Sequence, residues 1–254
     1  MLYICIPTYN EAPTVGVLLW RIRSVFQEYS REYEIVVYDD ASTDSTAETL
    51  EPYKDVLPLT VLHGKSRAGY PVAVEACFRE VVRRTRYPRR DAIIVMQADF
   101  TDAPEQLPEL VRRFEGGADV VVADRTGSAD LPKPVRRLKL LSSLLVKRFT
   151  GLTGVGDPFS GFRLFRVSVV KDLLATRGIG GLVSAPGLGA NLQLLLAASR
   201  VARRVESVPL PASYDIRVRE SRVRPVSDAV ALYKFALGNW KAPVPAASPA
   251  RAAR

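Results

Sequence analysis

Within residues 91–105, DAIIVMQADFTDAPE, the polar side chains Gln97, Asp99, Thr101 and Asp102 follow directly on an apolar run. Carboxylates at this spacing suit a hard divalent cation, and such a cation suits a diphosphate. Ile93, Ile94, Val95 and Met96 read as a strand buried on both faces, as in a parallel sheet. Asp99 and Asp102 then fall just past its C-terminal end, where open α/β sheets bind their ligands. A plainer reading makes Asp102 the cap of a helix starting at Pro104 and Asp99 a solvated turn residue. That reading accounts for this one cluster well enough.

Two more strand ends carry the same character. The first strand closes in Ile6-Pro7-Thr8-Tyr9-Asn10-Glu11, and the second runs through Asp39-Asp40 into Ala41-Ser42-Thr43-Asp44-Ser45. Helix capping explains any one of the three clusters but explains all three less well. Neither G-x-G-x-x-G nor a Walker sequence follows these strands, and Gly187-Leu188-Gly189 follows no convincing strand, so a dinucleotide fold or P-loop enzyme is disfavoured. What remains is a nucleotide site that works through side-chain carboxylates and a metal.

The elements that must position these groups alternate. Strands are expected at 2–6, 34–38, 59–62, 92–97 and 119–123, and helices at 14–29, 45–51, 70–84, 105–115 and 135–151. Ser45 and Glu48 have capping-box spacing. Such alternation predicts an α/β fold with a doubly wound, mostly parallel central sheet flanked by helices. The second half is less regular, with a short strand at 162–166, a leucine-rich helix at 191–199 and a strand at 205–208. Residues 242–254 carry no apolar period and read as a disordered tail.

Composition narrows the classes. The chain has 254 residues, enough to bury a full core, and two cysteines, Cys5 and Cys77, read as buried thiols. These two make no disulfide framework, so a cytoplasmic setting is the default. Met1 runs straight into the first strand, so no signal peptide is expected. A single histidine, His63, excludes a multi-histidine metal site and reads as a strand-end residue. The net charge of +9 points to an anionic partner.

Taken in order, IPTYNE (6–11), VVYDDASTDST (36–46), RAGY (67–70), QADFTDAPE (97–105), DPFSGFRLF (157–165), VESVPL (205–210) and RVRESRV (217–223) resemble glycosyltransferase family 2. The likeness extends to its dolichol- or polyprenyl-phosphate mannose synthases. It implies the GT-A fold across a catalytic domain of residues 1–225. It also implies that Pro7, Tyr9, Glu11, Asp40, Arg67 and Gln97 hold the nucleotide of a GDP- or UDP-hexose. Asp99 would coordinate Mg²⁺ or Mn²⁺, with Gln97, Thr101 and Asp102 as further candidate ligands. Asp157, Ser160 and Arg163 match the segment lining the sugar and acceptor pocket. Arg217, Ser221 and Arg222 match a late basic segment that closes over phosphates. On this reading Asp99, Asp157, Arg217 and Arg222 are catalytic, and Ser160, Arg163, Ser221, Lys139 and Ser143 bind the acceptor.

Two departures bear on mechanism. The resembled family has Asp-x-Asp where this chain has Gln97-Ala98-Asp99, and a family glutamate falls at Gln193. A hydroxyl acceptor needs a base to take its proton. A lipid phosphate is already anionic and can attack without one, so losing carboxylates fits a phosphate acceptor better. Arg67, Arg217, Arg219 and Arg222 are then the cations available to a departing diphosphate.

Residues 135–152, VRRLKLLSSLLVKRFTGL, set Val135, Leu138, Leu141, Leu145, Phe149 and Leu152 on one helical face among basic neighbours. Such a pattern fits an ordinary surface helix with its apolar face in the core as well as a membrane-surface element, and it is the family resemblance that favours the latter. Lys139 and Ser143 match the spacing with which the resembled family contacts a lipid phosphate. A second amphipathic helix is expected at 226–241, with Tyr233 and Trp240 on its apolar face. No run approaches the roughly 20 apolar residues of a bilayer span. The expectation is therefore a peripheral protein on the cytoplasmic membrane face, unless a membrane-anchored partner subunit holds it. The sequence thus predicts an inverting transfer of mannose or glucose to a polyprenyl phosphate. Its alternatives are a soluble acceptor and a catalytically silent nucleotide-sugar binder. Nucleic acid is not an expected partner, since the arginines are scattered.

Overall fold

The computed structural model describes residues 1–125, 154–177, 181–183 and 188–210. The expected helices at 135–152 and 226–241, the tail, and Lys139, Ser143, Arg217, Arg219, Ser221 and Arg222 lie outside these residues.

Seven strands form one sheet in the order β3-β2-β1-β4-β6-β5-β7: β1 (Leu2–Thr8), β2 (Tyr33–Asp39), β3 (Leu59–His63), β4 (Ala92–Val95), β5 (Val120–Asp124), β6 (Arg163–Arg166) and β7 (Val205–Pro209). All neighbours are parallel except β6, which runs antiparallel to both β4 and β5. β1 aligns Thr8 with Asp39 of β2 on one side and Cys5 with Val95 of β4 on the other. The chain builds outward from β1 to β2 and β3, then returns to add β4 on the far side. That reversal between β1 and β4 is where such sheets open a crevice for ligands.

The sheet is covered on both faces, which is why β4 is buried at every residue. On one side Ile4, Ile6, Val37, Ile94 and Met96 pack on α1 (Ala12–Glu28) and α4 (Leu107–Glu115). On the other, Tyr3, Cys5, Val36, Ile93 and Val95 pack on α3 (Tyr70–Arg84), α5 (Val167–Arg177) and α6 (Leu188–Ser199). α1 forms because Val15, Leu18, Leu19, Ile22 and Phe26 recur at helical spacing on one buried face, with Pro13 in its first turn. Each of these side chains contributes on the order of 2 kcal/mol through burial. Cys5 and Cys77 are both buried and free.

Boundaries differ from expectation in two instructive places. α2 (Thr46–Leu50) starts without the Ser45 capping box, since Ser45 makes no side-chain cap bond. Asp44 replaces it: its carboxylate accepts from the Thr46 amide at 3.0 Å and the Ala12 amide at 3.3 Å, joining two helix starts. Nor does Asp102 cap the turn beginning at Pro104, for its carboxylate is committed elsewhere.

Candidate active site

The loops after β1 and β2 are laced together. Asn10 donates its amide to Ser42 Oγ at 2.9 Å and accepts from the Thr43 amide at 2.8 Å, while the Glu11 amide donates to Thr46 Oγ1 at 2.9 Å. Among the described residues, Asn10, Ala41 and Phe100 are the non-glycine residues with positive φ, at 54°, 55° and 61°. Each sits in the loop after one of the three strands whose ends carry the polar clusters. L-residues pay on the order of 1–3 kcal/mol for such backbone, and strain of this kind gathers where geometry serves function. Phe100 is the most demanding case. Its ring is buried in the core and lies under the Arg21 guanidinium at 5.4 Å, which holds the loop carrying Asp99 in this shape.

Asp40 is 3% exposed, and both of its carboxylate oxygens accept backbone amides, from Ala68 at 2.8 Å and Gly69 at 2.7 Å. It therefore fixes the loop that enters α3 and presents Arg67. The Arg67 guanidinium lies 4.0 Å from the centroid of the Tyr9 ring. Pro7 lies within β1, opposite Tyr38 of β2. The Glu11 carboxylate accepts from Thr14 Oγ1 at 3.0 Å at the start of α1. The fold thus brings Tyr9, Glu11, Asp40 and Arg67 to one edge of the sheet.

Beyond β4, Asp99 is partly exposed and accepts from the Thr101 amide at 3.0 Å. Thr101 Oγ1 is buried and has no hydrogen-bond partner among the described residues. Asp102 is 1% exposed: it accepts from the Gln97 amide at 2.7 Å and pairs with Arg125, which also donates to the Thr101 carbonyl at 2.7 Å. Burial pushes its carboxyl upward while Arg125 pulls against it. The expected ligand role for Asp102 is corrected accordingly, since a carboxylate enclosed with arginine holds the loop in shape. Among the described residues no three acidic, histidine or cysteine side chains gather as a metal cluster. Asp99 with the unmet Thr101 hydroxyl still fits a cation that arrives on a diphosphate, because Mg²⁺ is commonly held by one or two carboxylates plus substrate phosphates.

The segment 157–163 differs from expectation. Asp157 is 1% exposed and accepts from the Phe159 amide at 3.1 Å. Arg163 is equally buried; it donates to the Pro158 carbonyl at 2.6 Å and to the Asn191 carbonyl. Burial lowers its pKa to about 10 despite the opposing fields of Tyr70 and Asp157. Asp157 and Arg163 are thus buried and hydrogen-bonded within the described residues. Ser160 Oγ is buried with no partner among the described residues.

Sequence reasoning missed Tyr70 and Asn191. Tyr70 donates its hydroxyl to Asn191 Oδ1 at 3.0 Å, and Asn191 Nδ2 donates to the Phe159 carbonyl at 3.2 Å. A β-carbon placed on Gly161 would lie 3.2 Å from Asn191 Nδ2 and 3.3 Å from both Gln97 Nε2 and Tyr70 OH. Asn191 is therefore a residue through which α6 approaches Gly161 and Tyr70. The available signal was a polar residue at the start of an otherwise leucine-rich helix.

An α/β sheet with its polar strand ends gathered at the reversal between β1 and β4 is of the GT-A type. The family described as Glycosyl transferase family 2 matches residues 3–174, and the chain belongs to that family. It is 33% identical over 122 residues to a dolichol-phosphate mannosyltransferase of Pyrococcus furiosus, covering 48% of this chain and 32% of that one. It is 31% identical over 132 residues to an undecaprenyl-phosphate 4-deoxy-4-formamido-L-arabinose transferase of Photorhabdus laumondii, covering 50% and 38%. The matched stretches thus span under two fifths of these relatives' lengths. Among solved structures, the mannosyltransferase PcManGT of Pyrobaculum calidifontis, in complex with GDP-Man and Mn²⁺, is similar with a TM-score of 0.63 at 22% identity, covering 95% of this chain and 65% of that one. Glucosyl-3-phosphoglycerate synthase of Mycobacterium tuberculosis, in complex with Mn²⁺, UDP and glucosyl-3-phosphoglycerate, gives a TM-score of 0.62 at 19% identity, covering 93% and 77%. No helix among the described residues is long and apolar enough to cross a membrane.

Proposed function

We propose that the chain transfers a hexose, mannose or glucose, from a GDP- or UDP-sugar to a polyprenyl phosphate at the cytoplasmic face of the membrane, with inversion. The observation that carries this reading is the convergence of Tyr9, Glu11, Asp40, Arg67 and Asp99 on one sheet edge, in a family whose matched relatives are named for polyprenyl-phosphate acceptors. The Tyr9 ring gives a nucleobase a stacking face, and Asp40 holds the loop that presents Arg67. Asp99 and the Thr101 hydroxyl would hold the divalent cation. When bound, Mg²⁺ or Mn²⁺ neutralises the diphosphate.

A lipid-phosphate oxygen attacks the anomeric carbon as the carbon–oxygen bond to the donor diphosphate breaks. The nucleoside diphosphate departs with the electron pair, and no proton need be removed from the acceptor. The remaining requirement is electrostatic. Arg67 supplies one cation, and Arg217, Arg219 and Arg222 are the further candidates. Lys139 and Ser143, with the amphipathic segment 135–152, are proposed to meet the lipid phosphate at the membrane surface.

The deciding experiment incubates the protein with Mg²⁺ or Mn²⁺, a panel of GDP- and UDP-hexoses, and a short polyprenyl phosphate. Mass spectrometry should detect a lipid-linked hexose from one donor. Transfer only to soluble alcohols or phosphates would move the acceptor assignment. Nucleotide binding without transfer to any acceptor would make the protein a silent binder.

A further inference from the structure

The opposite edge of the sheet, where the parallel strands begin, carries a concentration of arginine. Arg86, Arg89 and Arg90 lie in the loop between α3 and β4, and Arg203 precedes β7. All four are exposed, and none has an ion pair among the described residues. One bridge draws their two loops together. The Arg166 guanidinium donates to the Arg89 carbonyl and to Asp119 Oδ1 at 2.6 Å, and Asp119 Oδ2 accepts from the Arg203 amide at 2.8 Å. The carboxylates of this strip are thereby spent. Asp91, 3% exposed, likewise accepts from the Met1 amine at 3.1 Å and from Thr85 Oγ1 at 2.6 Å. Helix polarity explains only Arg83 and Arg84, which complement the last turn of α3 and pair with Glu80. Arg86, Arg89, Arg90 and Arg203 stand in loops, and Tyr87 beside them is 62% exposed.

Exposed guanidinium groups around an exposed phenol suit a partner that bears carboxylates. Arginine forks bind carboxylates through paired hydrogen bonds, and tyrosine and arginine carry much of the energy at protein interfaces. The span fits as well. From β4 to β7 the sheet crosses three interstrand spacings, about 14 Å, which an extended peptide covers in about four or five residues. A nucleic-acid site commonly neutralises about 6–10 phosphates, more than this strip can meet. We propose that this edge docks an acidic segment of a partner protein through Arg86, Tyr87, Arg89, Arg90 and Arg203. The choice of a protein over a bilayer rests on the reading of the opposite edge as the one that meets the lipid acceptor. The length of β1 sets the two edges about 23 Å apart. A partner docked here leaves the edge with Tyr9, Arg67 and Asp99 open.

Fluorescence anisotropy on the full chain, with a labelled hexaglutamate peptide as probe, tests this without turnover. The wild type should bind the peptide saturably at low ionic strength and release it as salt rises, since exposed charges are screened within about 10 Å at 0.1 M. Arg86→Ala combined with Arg89→Ala and Arg90→Ala should weaken binding about tenfold, the summed worth of three exposed ion pairs. Arg203→Ala, in the second loop, should weaken it about two- to threefold. Arg67→Ala, at the opposite edge, should leave it within about twofold. All four strip arginines are exposed, so their variants should keep the wild-type thermal midpoint in a scanning calorimeter. A wild type that ignores the peptide, unchanged affinity in the triple variant, or an equal loss in Arg67→Ala would overturn the docking site. Tighter binding of a polythymidine oligonucleotide or of phosphatidylglycerol vesicles, lost in the triple variant, would overturn the protein partner and assign the strip to that polyanion. Failure of nucleotide-sugar binding would leave the peptide result standing and remove only the ground for preferring a protein to a bilayer, which the vesicles then decide.

Discussion

The Arg67 guanidinium covers the Tyr9 ring at 4.0 Å, joining the loop after β1 to the loop before α3. A cation on an aromatic face is worth on the order of 1 kcal/mol, and a nucleobase stacked there is worth about 1–3 kcal/mol. A base and the guanidinium compete for this face of the ring, so nucleotide binding should release Arg67 toward the diphosphate. Tyr9→Ala should weaken nucleoside diphosphate binding by roughly 30-fold, within that stacking range. Arg67→Ala should instead flatten its salt dependence, as calorimetry at two ionic strengths would reveal.

The buried pair of Asp102 and Arg125 ties the loop bearing Asp99 to the end of β5. Asp102→Asn leaves a buried guanidinium without its counter-charge, which costs on the order of 3–5 kcal/mol. Urea denaturation should show the loss as a lower midpoint with an unchanged slope. A double variant, Asp102→Leu with Arg125→Met, should recover much of it by removing both charges.

Gly156 stands against the Asp124 carboxylate so closely that an added β-carbon would lie 1.5 Å from Oδ2. Gly156→Ala must push Asp124 aside at the end of β5. Overpacking of this kind costs about 1–3 kcal/mol, enough to lower the thermal midpoint by several degrees in a scanning calorimeter.

Ala41 adopts a φ of 55° between β2 and α2. Left-handed backbone costs an L-residue on the order of 1–2 kcal/mol, partly offset in glycine by its greater freedom when unfolded. Ala41→Gly should therefore stabilise the protein by roughly 0.5–1 kcal/mol, a rise of about 1–3 °C at this size.

Glu80 on α3 is held below the ordinary carboxylate range, chiefly by its hydrogen bond from Arg83, with Arg84 adding to it against the effect of burial. Its folded pKa lies below its unfolded value. The ionised group therefore contributes stability above the unfolded pKa and loses it as pH falls through the folded one. Glu80→Gln should cost about 1 kcal/mol at pH 7 and converge on wild type in acid, with urea midpoints compared at pH 7 and pH 3.

Local pattern carried much of this molecule. The apolar run 92–96 announced a doubly covered strand because a central strand with helices on both faces of its sheet buries consecutive residues. Periodicity located α1, α3 and α4 to within a few residues, and Cys5 and Cys77 are buried as read. Ser45 stands at the N-cap position as its spacing indicated, but its side chain makes no cap bond; the spacing rule knows nothing of Asp44, whose carboxylate reaches both Thr46 and Ala12. Asp102 was misread as a helix cap because its partner Arg125 lies 23 residues away, just past the end of β5.

The sequence by itself determined the alternation of elements, the polar character of three strand ends and the family those motifs resemble. Each of these is written in neighbouring residues. Only the tertiary structure decided which polar groups are buried in the frame and which stay exposed at the sheet edge. Asp157, Arg163 and Asp102 turn inward, while Tyr70 and Asn191, 121 residues apart, meet Gln97 in front of Gly161. The physical reason is that a side chain's partner is chosen by packing across the sheet, and β6 entering antiparallel between β4 and β5 brings the 157–161 loop beside the end of β4.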